Sequence, residues 1–292
     1  MSSPEDPHLD PPSLSSEPQI LIPLATDPLP PPVFASAPVP PQSSENPVWN
    51  GWDVLVIAIL IVCTLFFAQL LIVLGARHFA FPNASWMEVA QKPSLALLSE
   101  LLTYGAVALY MILLVEGKYH TRFWQAIRWN WPGIAGVSFL GIGVLMLGLL
   151  LLDRVLPMPK STPFDQFFAH RSDAYLTAVF AVTLGPLMEE IFFRGFLYPV
   201  LARRTGAVPA ILITAVLFGA IHSPQYGYSW AVLIIVLVGV VLTTIRAVTK
   251  SVASSFLAHV GFNGIQMILA IWATDGFRHM EKAAVLLSCI KP

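Results

Sequence analysis

The chain has 292 residues, of which 56% are hydrophobic and only 11% are Asp, Glu, Lys or Arg, and its mean hydropathy is +0.70. Soluble globular domains carry about a quarter of their residues as charges, so these charges cannot cover a water-facing surface. A single soluble domain is excluded, as is a nucleic-acid binder that relies on a basic surface; what remains is a polytopic protein whose surroundings are the lipid bilayer.

The net charge of −1 conceals a split. Residues 1–52 contain Glu5, Asp6, Asp10, Glu17, Asp27 and Glu45 and no Lys or Arg. With these six acids set aside, the remainder is basic. The same stretch holds 14 of the 25 prolines. Proline removes backbone donors and fixes φ, so residues 1–50 read as a disordered, acidic, Pro-rich tail with polyproline II character. It shows no basic n-region leading into an apolar core, so it does not read as a cleavable signal peptide. Cys63, inside an apolar run, and Cys289, near the C-terminus, form neither a disulfide framework nor a metal pair.

Runs long enough to span a bilayer, about 20 residues, follow at 53–76, 95–115 and 133–152, then at 174–200, 208–222, 229–248 and 252–274. These are seven expected spans, with an eighth if 283–290 re-enters the membrane. The fold class is therefore all-α, a polytopic transmembrane helical bundle of about 7–8 spans. Its expected divisions are N-terminal membrane helices over 51–155, a second membrane core over 160–275, and a C-terminal tail over 276–292. Trp49, Trp52, Trp129, Trp131, Trp230 and Trp272 stand at span ends, where amphipathic rings favour the interface. The short loops holding Lys118, Arg122, Arg128, Arg203, Arg204, Arg246 and Lys250 share one side. Basic density in short loops marks the cytoplasm, which places the N-terminus there in a cell (plasma) membrane protein.

Ionisable groups inside spans cost about 2.5–3.5 kcal/mol each on insertion scales and so mark function by default. Glu189, Glu190 and Arg194 lie in the fourth run, His222 ends the fifth, and His259 and Asn263 lie in the seventh. At about 1.5 Å rise per residue, Glu189 sits roughly 18–21 Å from the Arg203/Arg204 side. His222 sits at roughly 21 Å, and His259 and Asn263 at roughly 12 and 18 Å. Three helices thus bring a carboxylate, two imidazoles and an amide to similar depth in a core about 30 Å thick. His259 and Asn263 are four apart and share a helix face. Glu190 and Arg194 form an acid-then-base pair at the same spacing, which leaves Glu189 as the unpaired, working carboxylate. Pro186, three residues earlier, interrupts the helix and opens space at that level. Taken singly, each residue is as well read as interhelical glue, and Phe218 and Phe262 as packing; together they supply the partners that hydrolysis needs.

These residues resemble the signatures of the CPBP family of intramembrane endopeptidases, the CAAX-protease and bacteriocin-processing (Abi) group. Its motifs Glu-Glu-x-x-x-Arg, Phe-x-x-x-His and His-x-x-x-Asn stand here as Glu189-Glu190…Arg194, Phe218…His222 and His259…Asn263, in order and on separate apolar segments. The resemblance covers about residues 160–275. It implies a protease of membrane-associated or lipidated peptides or proteins, with prenylated CAAX proteins as the best-known substrates. It further implies that Glu189 activates water, that His222 positions or deprotonates it, and that His259 and Asn263 hold the oxyanion while Arg194 supports the glutamates. Glu189, His222 and His259 would equally make a possible Zn²⁺ set with one position open for water. The His-Glu-x-x-His spacing of zincins is absent, so a metal-independent mechanism stands beside the metalloprotease one. A non-proteolytic adaptor, immunity or scaffold protein of the same family is the alternative, and a proton-coupled transporter ranks last because no paired, interrupted spans are seen.

Overall fold

The computed structural model describes residues 45–157, 159 and 161–279. Residues 1–44 of the tail expected over 1–50, and the re-entrant segment expected at 283–290, lie outside the described residues. Among the described residues every regular element is helical.

Helix α1 (Gly51–Phe79) opens on an Asn50/Asp53 capping box. A turn leads through α2 (Trp86–Ala90) to α3 (Pro93–Ile112), which widens into a π-helical turn over Leu113–Lys118. After α4 (Phe123–Ala126) comes α5 (Gly136–Leu145), which tightens into a 3₁₀ helix over Met146–Arg154. A 3₁₀ turn at Pro163–Phe168 precedes α6 (Arg171–Val182) and α7 (Leu184–Glu190), then a π-helical turn over Ile191–Leu197 and α8 (Tyr198–Thr205). The chain ends with α9 (Ala207–Ile221), α10 (Ala231–Thr249) and α11 (Val252–Ala273).

Six of these helical stretches are long and apolar enough to cross a membrane, and α9, at 15 residues, is a shorter apolar helix. The protein is therefore an integral multi-pass membrane protein of the all-α class. The fourth span is longer than the apolar run suggests, because polar ends at Arg171 and Thr205 continue the helix for 35 residues. Its interior is broken where the sequence demands it. A proline clashes with the carbonyl four residues back; for Pro186 that residue is Val182, the last of α6. Thr183 takes up the break with φ −116° and ψ −79°.

Helices pair as α1 with α3, α9 with α10, and α5 with α11. In lipid, helix association depends on close packing rather than on water exclusion. The α5–α11 crossing is made by glycines: a Cβ on Gly143 would overlap the Ala258 carbonyl, and one on Gly261 would overlap that of Leu140. This contact fixes the depth of α11, which carries His259.

On the side bearing the basic loops, α1 and α3 are joined by Asp53, which accepts from Lys118 Nζ at 2.7 Å and the Tyr119 hydroxyl at 2.6 Å. The segment before α1 is also pinned. Glu45, 4% exposed, takes both terminal nitrogens of Arg246 (2.9 and 3.1 Å) and Arg128 Nη1 (3.1 Å). Trp49 departs from its expected place at the interface: it is fully buried, donates to the Phe196 carbonyl at 3.1 Å and stacks on the Phe196 ring. Trp52, Trp131, Trp230 and Trp272 are exposed at helix ends or loops, as an interfacial belt requires.

Replacing Gly143 with Val forces α5 away from α11. Overpacking typically costs about 1–3 kcal/mol, so Gly143→Val lowers the thermal unfolding midpoint in detergent, whereas Gly141→Ala, whose site is open, leaves it within error.

Candidate active site

The break at Thr183 and the π-helical turn at Ile191–Leu197 bracket α7, a single short helix ending in Glu189 and Glu190. π-Turns of this kind recur at functional sites because they re-aim side chains. The two glutamates diverge. Glu190 and Arg194 are fully buried, while the Glu189 side chain is 22% exposed and lines a cavity of about 260 Å³.

Glu190 is a hub. Its Oε1 receives Arg194 Nη1 at 3.0 Å and His259 Nδ1 at 3.0 Å, and its Oε2 receives the Ser255 hydroxyl at 2.5 Å. Arg194 is anchored further by Nε to Thr243 Oγ1 at 3.2 Å and Nη2 to the Gly239 carbonyl at 3.2 Å, both on α10. Its guanidinium lies 4.5 Å from the centroid of Phe218, a cation–π contact that needs no water. Phe218 also borders both imidazoles, at ring distances of 4.8 Å for His222 and 5.8 Å for His259. Its part therefore exceeds the simple packing read from the sequence.

Glu189 stands between the two histidines. His222 Nε2 lies 3.7 Å from its Oε1 and His259 Nε2 lies 3.7 Å from its Oε2, beyond direct hydrogen-bond distance. Each imidazole is held by its other nitrogen: His222 Nδ1 meets the Phe218 carbonyl at 2.7 Å, and His259 Nδ1 meets Glu190. Both of those partners only accept, so Nδ1 carries the proton in each ring and Nε2 is the atom turned to Glu189. Asn263 lines the same cavity, and one of its amide hydrogens goes to the Ala181 carbonyl at 2.8 Å, in the last turn before the break. The structure thus brings Glu189, Glu190, Arg194, His222 and His259 into one connected cluster and sets Asn263 on the cavity wall.

A bound zinc ion would require a particular arrangement of these donors. Zinc ligands converge to about 2.0–2.2 Å from a common point. Here the imidazoles bracket different oxygens of one carboxylate, and among the described residues no three His, Cys, Asp or Glu side chains are grouped to hold an ion. As placed, Glu189, His222 and His259 do not fit the zinc arrangement.

Sequence reasoning missed several members. Ser255 and Thr243 are small hydroxylated residues of a kind common in membrane helices and give no signal alone. Glu100 and Tyr104 on α3 line the cavity as well. A charge inside the run 95–115 is visible in the sequence, and the same cost argument that singles out Glu189 applies to it. The loop after α9 adds Gln225 and Tyr226. Burial, with the nearby Glu189 charge second, pushes the Tyr226 hydroxyl up to about 12, which keeps it a hydrogen-bond donor at neutral pH. The turn at Pro163–Phe168 folds over this loop, with the Phe164 amide donating to the Gln225 carbonyl at 3.1 Å.

Beside the cavity lies a second, larger space of about 930 Å³, walled by apolar residues of α1 and α3 such as Ile61, Leu65, Val107 and Met111. Glu100, Tyr104, Glu189, His222 and Gln225 border both spaces. The two spaces adjoin at Glu189, the smaller holding the ionisable side chains and the larger walled almost wholly by apolar ones.

Among known proteins, the chain is similar to the uncharacterized protein YyaK of Bacillus subtilis (strain 168), at 31% identity over 170 residues, 56% of this chain and 54% of that protein. It is also similar to an uncharacterized 24.3 kDa protein of Escherichia coli, at 32% identity over 134 residues, 42% of this chain and 59% of that protein. The chain thus spans little more than half the length of these relatives. No solved structure matches. Residues 171–265 match the family described as "Type II CAAX prenyl endopeptidase Rce1-like", a stretch that runs from the start of α6 through Asn263 and includes all three motifs. That stretch of the chain is therefore similar to Rce1-like domains, consistent with the CPBP signatures of its three motifs.

Proposed function

We propose that the protein is an intramembrane endopeptidase that hydrolyses a peptide bond of a membrane-associated protein or peptide, lipidated as in CAAX-type substrates, with Glu189 activating the attacking water. One observation carries this reading. A partly exposed carboxylate faces a cavity between two imidazoles, each fixed at Nδ1 and turned to it through Nε2.

The chemistry follows from these positions. Water beside Glu189 gives one proton to the carboxylate and hydrogen-bonds the lone pair on His222 Nε2, while its oxygen attacks the scissile carbonyl carbon. The oxyanion is held by His259 Nε2–H and by the second amide hydrogen of Asn263. Donors preset in a water-poor site are worth far more than in bulk. In this step His259 carries protons on both nitrogens, its Nδ1–H held by Glu190 and its Nε2–H given to the oxyanion. With His259 so charged, two carboxylates face an imidazolium and a guanidinium, and the cluster is neutral as a whole. Glu189 then passes its proton to the leaving amine nitrogen as the C–N bond breaks. No metal enters these steps.

The apolar groove suits the lipid or apolar segment of a substrate that arrives within the bilayer. A cell membrane location with a cytoplasmic N-terminus agrees with the basic short loops, and places the Arg203/Arg204 end of α8 on the same side.

In proteoliposomes with a farnesylated CAAX-type reporter, Glu189→Gln lowers kcat at least about 10²-fold, as do His222→Ala and His259→Ala; wild-type rates in the Glu189 variant overturn the mechanism. Activity persists with 1,10-phenanthroline, and purified protein contains no stoichiometric zinc; loss with chelator and recovery with Zn²⁺ sink the metal-free reading. Glu190→Ala acts differently: removing one partner of a buried ion pair costs about 3–5 kcal/mol, so its unfolding midpoint drops steeply while that of Glu189→Gln does not.

A further inference from the structure

Glu100 belongs to none of the three motifs and lies outside the residues that match the family. It is seven residues into α3, about 10 Å from that end of the helix. In a core about 30 Å thick, this is the depth at which Glu189 lies when counted from the other face. Tyr104 is one turn further along the same helix face. Both border the smaller cavity and the apolar groove, so they stand where the two spaces meet, a boundary they share with Glu189 and His222. The Tyr104 ring is set in place by stacking on Phe180 at 5.5 Å. Among the described residues no hydrogen bond or ion pair engages the Glu100 carboxyl or the Tyr104 hydroxyl. A carboxyl at mid-membrane depth is costly to insert and returns nothing to helix packing when it is unpartnered.

We propose that Glu100, with Tyr104 beside it, is a substrate-docking residue: its carboxylate accepts an N–H donor of the bound peptide at this boundary, on the groove side of the scissile bond. This inference rests on the protease reading above. The donor is an N–H of the substrate, and it has two sources, a cationic side chain or a backbone amide. At this water-poor boundary either gains more from a carboxylate than it does in water. Tyr104 O–H supplies the matching donor for a peptide carbonyl.

Binding is measured in nanodiscs by anisotropy of a labelled farnesylated CAAX-type peptide, with the cleavage-dead Glu189→Gln protein as the reference. Adding Glu100→Gln, which keeps shape and removes charge, raises Kd about tenfold, and Glu100→Asp restores most of the affinity. The first peptide carries a lysine next to the prenylated cysteine, and a second peptide replaces that lysine by norleucine. If the donor is the cation, this peptide binds both proteins equally weakly; if it is the backbone, the tenfold difference persists. In the cleavage assay Glu100→Gln alone raises KM about tenfold with kcat changed less than threefold. Unchanged Kd for the lysine peptide, no binding of that peptide, or a fall in kcat at constant KM overturns the docking role. Wild-type protein that binds but does not cleave, with Glu100→Gln still weakening binding, overturns the protease reading and leaves the docking role standing.

Discussion

The buried pair of Glu190 and Arg194 is the interaction around which the membrane core is organised. Neither side chain is exposed, and a charge in that position is tolerable only when every donor and acceptor is satisfied. Satisfying them recruits two further helices. Arg194 reaches Thr243 and the Gly239 carbonyl on α10, and Glu190 reaches Ser255 and His259 on α11. The pair therefore sets the rotation of α10 and α11 about their axes, and with it the direction in which His259 points. What orients the site also ties the bundle together, and the two roles cannot be separated by inspecting Glu190 alone.

The helix interruptions are the second constraint. An unbroken helix from Arg171 to Thr205 would pass Glu189 along its neighbours as one more side chain in a row. The stop at Val182, forced by Pro186, and the wide turn after Glu190 isolate one short helix whose Glu189 lines the cavity. The short α9 contributes in the same way: it ends at Ile221, so His222 caps it within the bundle rather than beyond it. Irregular backbone at membrane depth is tolerated where it lines a cavity, and here it does.

Much of this was legible in the sequence because charge inside apolar runs is rare and helix rise is constant. Depth arithmetic alone placed Glu189, His222, His259 and Asn263 at one level, and the four-residue spacings placed Glu190 with Arg194. Long-range partners were not legible. Ser255 and Thr243 have nothing in their local sequence that distinguishes them from other small polar residues in membrane helices. Trp49 read as an interfacial ring because its burial depends on Phe196, 147 positions away. Glu45 sits in an acidic Pro-rich stretch, and only the fold brings Arg246 to it. Glu100 was in plain view, but a single acid without a motif partner acquires meaning only when the boundary between two spaces is seen.

The charge set also bears on how such a sequence can drift. Replacing a buried ion pair as a unit by well-packed apolar residues is often neutral or favourable for stability, whereas replacing either member alone is strongly unfavourable. A bundle under no demand except to remain folded would have a downhill route to an apolar interior, but only through coordinated double changes. The lipid-facing surface of α1, where Ile59, Phe67 and Leu71 lie exposed away from the groove, can wander one residue at a time. The interior around Glu190 is locked against single steps, so variation along this chain should be partitioned by helix face before it is partitioned by helix.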